Sequence, residues 1–188
     1  VVFADMNGDN APDIFLAGAN NDGVDMLIAR LYFNDGQGNF TEMMTTPFIG
    51  VQQGSVALAD VDNDGDHDLL LSGKVSQNVF LTTLYTNDGQ GTFTEVSGTP
   101  FTGVDISATA FLDVDGDDDM DLLLTGLTDN NGVSQLYLNN GQGTFQAATD
   151  EPFSTVVGGS IAFADVDGDT DLDLLLTGLI AEDGMAAN

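Results

Sequence analysis

The stretch LADVDNDGDHDLLLSG, Leu58 to Gly73, sets five aspartates at alternate positions between a short apolar lead and three consecutive leucines. It recurs as FADMNGDNAPDIFLAG from Phe3, FLDVDGDDDMDLLLTG from Phe111 and FADVDGDTDLDLLLTG from Phe163. The first aspartates of the four copies, Asp5, Asp60, Asp113 and Asp165, follow one another at 55, 53 and 52 residues. A second signature falls between the copies: LYFNDGQGNFTE from Leu31, LYTNDGQGTFTE from Leu84 and LYLNNGQGTFQA from Leu136. A Pro-Phe pair at Pro47, Pro100 and Pro152 keeps the same step. The chain is therefore four copies of one unit, and a fixed period of this length marks a repeat architecture.

Each unit reads as four short strands. The first is small and apolar (VVFAD, SVALAD, SATAFLD, SIAFAD), and the second is the run that ends at Gly18, Gly73, Gly126 or Gly178. The third carries the Leu-Tyr pair and closes on Asn-Asp-Gly or Asn-Asn-Gly, where Asn and Gly accept the positive φ of tight turns. The fourth is NFTEMM, TFTEVS or TFQAAT. Four strands per roughly 50 residues is the period of a β-propeller blade, and Ala and Ser in the first strand suit its crowded innermost position. The expected fold is all-β, an open or partial propeller of three full four-stranded antiparallel blades plus two strands of a fourth. Blade boundaries fall near 1–53, 54–105, 106–157 and 158–188 of a single repeat array.

The loop between the first two strands follows D-x-[DN]-x-D-x-x-x-D. Its candidate metal ligands are Asp60, Asp62, Asp64, the Asp66 carbonyl and Asp68; Asp5, Asn7, Asp9, the Ala11 carbonyl and Asp13; Asp113, Asp115, Asp117, Asp119 and Asp121; and Asp165, Asp167, Asp169, Asp171 and Asp173. Hard oxygens at alternate positions of a tight loop suit Ca²⁺, which accepts six to eight oxygens in flexible geometry, better than Mg²⁺ with its strict octahedron. Zinc would call for Cys or His. The expectation is about four Ca²⁺ sites, the first weakened by Asn7 in place of a carboxylate. Gly65 supplies the sharp turn in copy two; Asn10 and Asp118 tolerate the same left-handed backbone, whereas Thr170 should be strained there. An EF-hand is rejected, since Leu71 stands where its twelfth-position Glu would be and the flanks are strands.

Composition narrows the function classes. Thirty-one acids against two basic residues give a formal charge of −29, which excludes nucleic acid as a partner. Nineteen of those acids lie in the four loops, so the charge is gathered where cations would bind rather than spread as a solvated face. The chain has no Cys or Trp, one His (His67), one Lys (Lys74) and one Arg (Arg30), leaving little for nucleophilic or histidine acid/base chemistry. Aspartates that hold a cation stay ionised and make poor proton donors, so no catalytic residue is assigned and a hydrolase or lyase is the weakest reading. No apolar run is long enough to cross a membrane as a helix, and the first residues do not resemble a signal peptide.

The loops D-x-[DN]-x-D with DLLLTG, followed by LYxNDGQGxFTE, resemble the FG-GAP and VCBS repeat families over nearly the whole chain. That resemblance implies calcium-binding propellers, or parts of larger ones, as found in integrin α chains and in secreted or surface-attached bacterial proteins. It implies an extracellular or cell-surface module with a structural or adhesive role. Val1 aligns with Val56 inside a first strand, and Ala187-Asn188 falls where a third strand should begin. The polypeptide is therefore expected to continue beyond both ends, or its open strand edges to pair with other proteins or copies of itself, even as a filament. A glycan-binding alternative rests on the repeated Tyr32, Tyr85 and Tyr137 and on Gln37, Gln90 and Gln142, although Tyr beside Leu more often packs a blade. His67 should be solvent-exposed, and the sequon Asn39-Phe40-Thr41 an ordinary strand end.

Overall fold

The computed structural model describes residues 1–20, 26–129, 131–149, 153–169 and 172–180. Fourteen strands and no helix make up the described residues. Strands β1 (Val2–Ala4), β2 (Asp13–Asn20), β3 (Met26–Asn34) and β4 (Phe40–Glu42) form one sheet in that order. A second runs β5 (Gln52–Ala59), β6 (Asp68–Ser76), β7 (Val79–Asn87), β8 (Phe93–Glu95). A third runs β9 (Asp105–Leu112), β10 (Asp121–Leu127), β11 (Gly132–Asn139), β12 (Phe145–Ala147). The fourth pairs β13 (Val156–Ala164) with β14 (Asp173–Ile180). Every pairing is antiparallel and no sheet closes on itself. This is the all-β, blade-by-blade arrangement of an open or partial propeller.

The blades stack face to face, which explains why the second strand is a continuous apolar run rather than an alternating one. Leu69 and Leu71 project into a core shared with Phe15 and Leu31 of the first blade, while Leu70 enters the next core with Leu122, Leu124 and Tyr137 of the third. Successive side chains thus point to opposite faces, and both faces are covered. Leu69, Leu70 and Leu71 are all inaccessible to solvent. The Phe of the first two Pro-Phe pairs seals these cores. Phe48 meets Phe15, Tyr85 and Phe93 with ring centroids 4.8 to 5.2 Å apart, and Phe101 meets Tyr137 and Phe145 at 5.1 Å. The small first strands lie innermost and carry hydroxyls across the blade boundary: Ser72 Oγ is 2.7 Å from Ser107 Oγ, and Thr109 Oγ1 donates to Ser55 Oγ at 2.9 Å.

Three features differ from the sequence expectation. The second strand does not end at its glycine but runs through it, to Asn20, Ser76, Leu127 and Ile180. In the last three blades the glycine lies beside a bulge in the first strand, whose register shifts between Gln52 and Ser55, opposite Thr125 to Leu127, and between Val157 and Ser160. A side chain at Gly73 would meet the backbone of Gln52 and Gly54 at 2.9 Å. The fourth strand keeps only three residues, because an outermost strand has a partner on one side alone. Finally, the positive φ of the third-strand turn is carried by Gly36 and Gly38, Gly89 and Gly91, and Gly141 and Gly143, not by the preceding Asn34, Asn87 and Asn139. Thr170, Pro152, Ala187 and Asn188 lie outside the described residues.

Candidate metal centres

Each loop between the first and second strands is organised by its first and last aspartates. The carboxylate at the first position folds the loop around itself by accepting backbone N–H groups. Asp5 takes those of Gly8 (2.8 Å) and Asn10 (2.7 Å), Asp60 that of Gly65 (2.9 Å), Asp113 those of Gly116 (2.7 Å) and Asp118 (3.0 Å), and Asp165 that of Gly168 (2.6 Å). Burial opposes ionisation of Asp5 and Asp113, yet these N–H groups outweigh it and hold both below the usual carboxylate range. The turn residue at the sixth position is left-handed, with φ of 65° at Asn10, 95° at Gly65 and 68° at Asp118. The fourth position bends the same way at Gly8, Asn63, Gly116 and Gly168, a second left-handed residue that the acid spacing conceals.

The aspartate at the ninth position opens the second strand and is buried where blades meet: Asp13, Asp68 and Asp121. Its two oxygens tie the loop to the third strand. Asp68 accepts Val61 N–H on Oδ2 and Asn87 N–H on Oδ1, both at 2.9 Å, and Asp13 and Asp121 repeat this with Met6 and Asn34 and with Val114 and Asn139. Burial raises all three pKa values above the ordinary carboxylate range, Asp68 to about 6. The third-position Asp62 and Asp115 are raised too, by burial first and then by the charges of Asp64 and Asp117.

These carboxylates converge. In Asp60, Asp62 and Asp68, in Asp113, Asp115 and Asp121, and in Asp165, Asp167 and Asp173, one oxygen from each residue lies within 4.8 Å of the others. In the first loop Asn7 takes the third position, and the described residues form no three-carboxylate cluster there. The fifth-position carboxylates lie outside the clusters and brace the loop: Asp9, Asp64 and Asp117 accept the N–H of Ala11, Asp66 and Asp119 at 2.8 to 3.0 Å. The side chains of Asp66 and Asp119 rest against Gly89 and Gly141 of their own third-strand turns. Asp171 lies outside the described residues.

The clusters fit a hard cation. Like charges this close repel unless something neutralises them, and the chain has few basic groups to do so. Arg30 pairs with Glu42 at 3.3 Å and Lys74 with Asp105 at 3.6 Å, both away from the loops. Asp62 Oδ1 is shut off from solvent and has no hydrogen-bond partner, an oxygen left for a ligand that is not protein. The donors are oxygens only, the set that selects calcium- or magnesium-like ions over zinc.

Other candidate residues take ordinary places. Tyr85 and Tyr137 are 0% and 1% exposed in the interblade cores, so they offer no surface to a glycan; Gln37, Gln90 and Gln142 are exposed on the turns. His67 is exposed, and Asn39 spends its side chain on Asp35 at 2.7 Å. The acid spacing does not reveal the third-strand Asn. Asn87 Nδ2 donates to Met6 O of the first blade's loop at 3.0 Å, and Asn139 Nδ2 to Val61 O of the second at 2.8 Å. Its signal in the sequence is that Asn34, Asn87 and Asn139 recur unchanged while the next residue is Asp or Asn.

No curated protein matches the chain. Residues 5–71, 75–124 and 113–176 match the FG-GAP-like repeat, which takes in the Asp-rich loop and its leucine strand of the first and third blades whole and most of those of the second and fourth. With loops of this geometry between the first two strands of each blade and a repeat match over most of its length, the chain belongs to the FG-GAP-like repeat family.

Proposed function

We propose that the chain is a calcium-binding repeat module of an extracellular or cell-surface protein, of the bacterial secreted type, with a structural or adhesive role and no catalytic one. FG-GAP repeats are typically non-enzymatic modules of surface proteins, and among the described residues no helix is long and apolar enough to cross a membrane. The observation that carries the metal reading is the convergence of three carboxylates in each of three loops, with Asp62 Oδ1 buried and unpartnered. Residues of the first, third and ninth positions would hold the ion; its charge would offset the repulsion among them and fix the first strand to the second.

Isothermal calorimetry of the metal-free chain with Ca²⁺ tests this. Binding of three to four equivalents is expected, and Asp62→Ala should lower the stoichiometry by one. Absence of Ca²⁺ binding at millimolar concentration, or an unchanged stoichiometry in the variant, overturns the assignment.

A further inference from the structure

The ninth-position aspartates of the first three blades are joined by one buried run of hydrogen bonds. Asp13 Oδ2 accepts Met6 N–H (2.9 Å), and the carbonyl of the same Met6 accepts Asn87 Nδ2 (3.0 Å). Asn87 N–H donates to Asp68 Oδ1 (2.9 Å), and Asp68 Oδ2 accepts Val61 N–H (2.9 Å). The Val61 carbonyl accepts Asn139 Nδ2 (2.8 Å), and Asn139 N–H donates to Asp121 Oδ1 (2.8 Å). Each Asn thus touches two metal loops: its backbone orients a carboxylate of its own blade, and its amide grips the loop of the blade before. The second amide hydrogen of Asn87 and of Asn139 goes to the loop carbonyl of His67 or Met120, so the side chain cannot swing away without losing both loops.

We propose that Asn87 and Asn139 are positioning residues that couple the metal loops of neighbouring blades, so that filling one loop raises the affinity of the next. The proposal rests on the metal reading above. A metal-free loop must hold mutually repelling carboxylates in register, and a filled neighbour that fixes the Met6 or Val61 peptide has already met part of that ordering cost. The coupling is reciprocal, as linkage requires. It is also unequal. Between the second and third blades, Gly143 N–H also bonds Val61 O at 2.9 Å, and Asn63 Nδ2 reaches Asp119 Oδ1 at 2.8 Å. Between the first and second blades the place of Asn63 is taken by Gly8, which has no side chain to donate. Asn87 therefore carries most of the coupling between loops one and two, whereas Asn139 shares its task.

The test is a Ca²⁺ titration of the full chain followed site by site through the amide resonances of Gly8, Gly65 and Gly116, one in each loop. Asp62→Ala, which disables the second loop, should weaken binding at both the first and third loops by about fivefold or more, the lower end of typical coupling. In an Asn87→Ala background, Asp62→Ala should change the first loop's affinity by less than about twofold while the third still responds. Should Asn87→Ala fail to fold, Asn87→Ser, too short to reach Met6 O, gives the same comparison. If Asp62→Ala shifts the first loop equally with and without Asn87, or shifts neither neighbour, the coupling is wrong although the metal reading stands. If no loop glycine responds to Ca²⁺ in the unaltered chain, the metal reading itself fails.

Discussion

Asp68 is the residue whose environment is most at odds with its charge. It is fully buried, beside Asp62 and Asp64, and its pKa is pushed up to about 6 from 3.8. A carboxyl whose folded pKa exceeds its unfolded value favours the folded state when protonated. The penalty for ionising it begins near pH 4 and is complete above pH 6, where it amounts to about 3 kcal/mol. Metal-free protein should therefore be more stable at pH 5 than at pH 7.5, by about 1 kcal/mol from this group alone, with Asp13 and Asp121 adding in the same direction. With Ca²⁺ present the order should reverse, because protons then compete with the ion for the same oxygens. Thermal melts at both pH values, with a chelator and with Ca²⁺, check this; a metal-free midpoint that rises with pH would contradict it. The acidic spacing made the candidate ligands legible in the sequence. Which of them converge was not, because alternation places all the odd positions alike, and only the folded loop separates the first, third and ninth from the fifth, whose carboxylate turns to the backbone N–H two residues on.

At the scale of the strand, the apolar runs and turn signals sufficed for the four-strand unit but not for its edges. Leu69 to Leu71 read as a strand, and they form one that is covered on both faces. The bulge at the start of the first strand left no such mark. Its pivot is Gln53 in the second blade (φ 52°), Ile106 in the third (φ 47°) and Gly158 in the fourth (φ 64°), three residue types with no common chemistry. Only the last is at ease there, since a left-handed backbone costs a residue with a Cβ about 1–2 kcal/mol. Gln53 is exposed, so little packing is lost with its side chain. Gln53→Gly should therefore stabilise the fold by up to about 1 kcal/mol after the added entropy of the unfolded chain is deducted. Gly158→Ala should destabilise it, both by strain and because its methyl would lie 3.2 Å from Ile106 Cγ2. Urea denaturation of the two variants measures both; a less stable Gln53→Gly would show that the bulge is not the source of strain.

Among the described residues, the fourth blade turns one face of its second strand to solvent. Leu70 in the second blade and Leu123 in the third are buried between blades, while Leu175, their counterpart in the fourth, is 64% exposed, and Leu179 and Ile180 nearby are similarly open. The blades below this face depend on one another through cores that no single sheet could bury, and also through loops that carry unneutralised charge. A ligand at ten to a hundred times its dissociation constant stabilises the folded state by about 1.4 to 2.7 kcal/mol per site. Three filled clusters would then supply roughly 4 to 8 kcal/mol, a large part of the 5–15 kcal/mol of an ordinary domain. Chelation should accordingly lower the melting midpoint by roughly 8 to 32 °C, since 1 kcal/mol shifts a chain of this size by about 2–4 °C. Circular dichroism melts with and without chelator measure the shift, and re-addition of Ca²⁺ should restore the midpoint. High salt should restore only part of it, because screening weakens the repulsion between carboxylates without bridging them. A metal-free midpoint within a few degrees of the loaded one would mean that the hydrogen bonds accepted by Asp5, Asp60 and Asp113 hold the loops unaided, and that the metal is not structural.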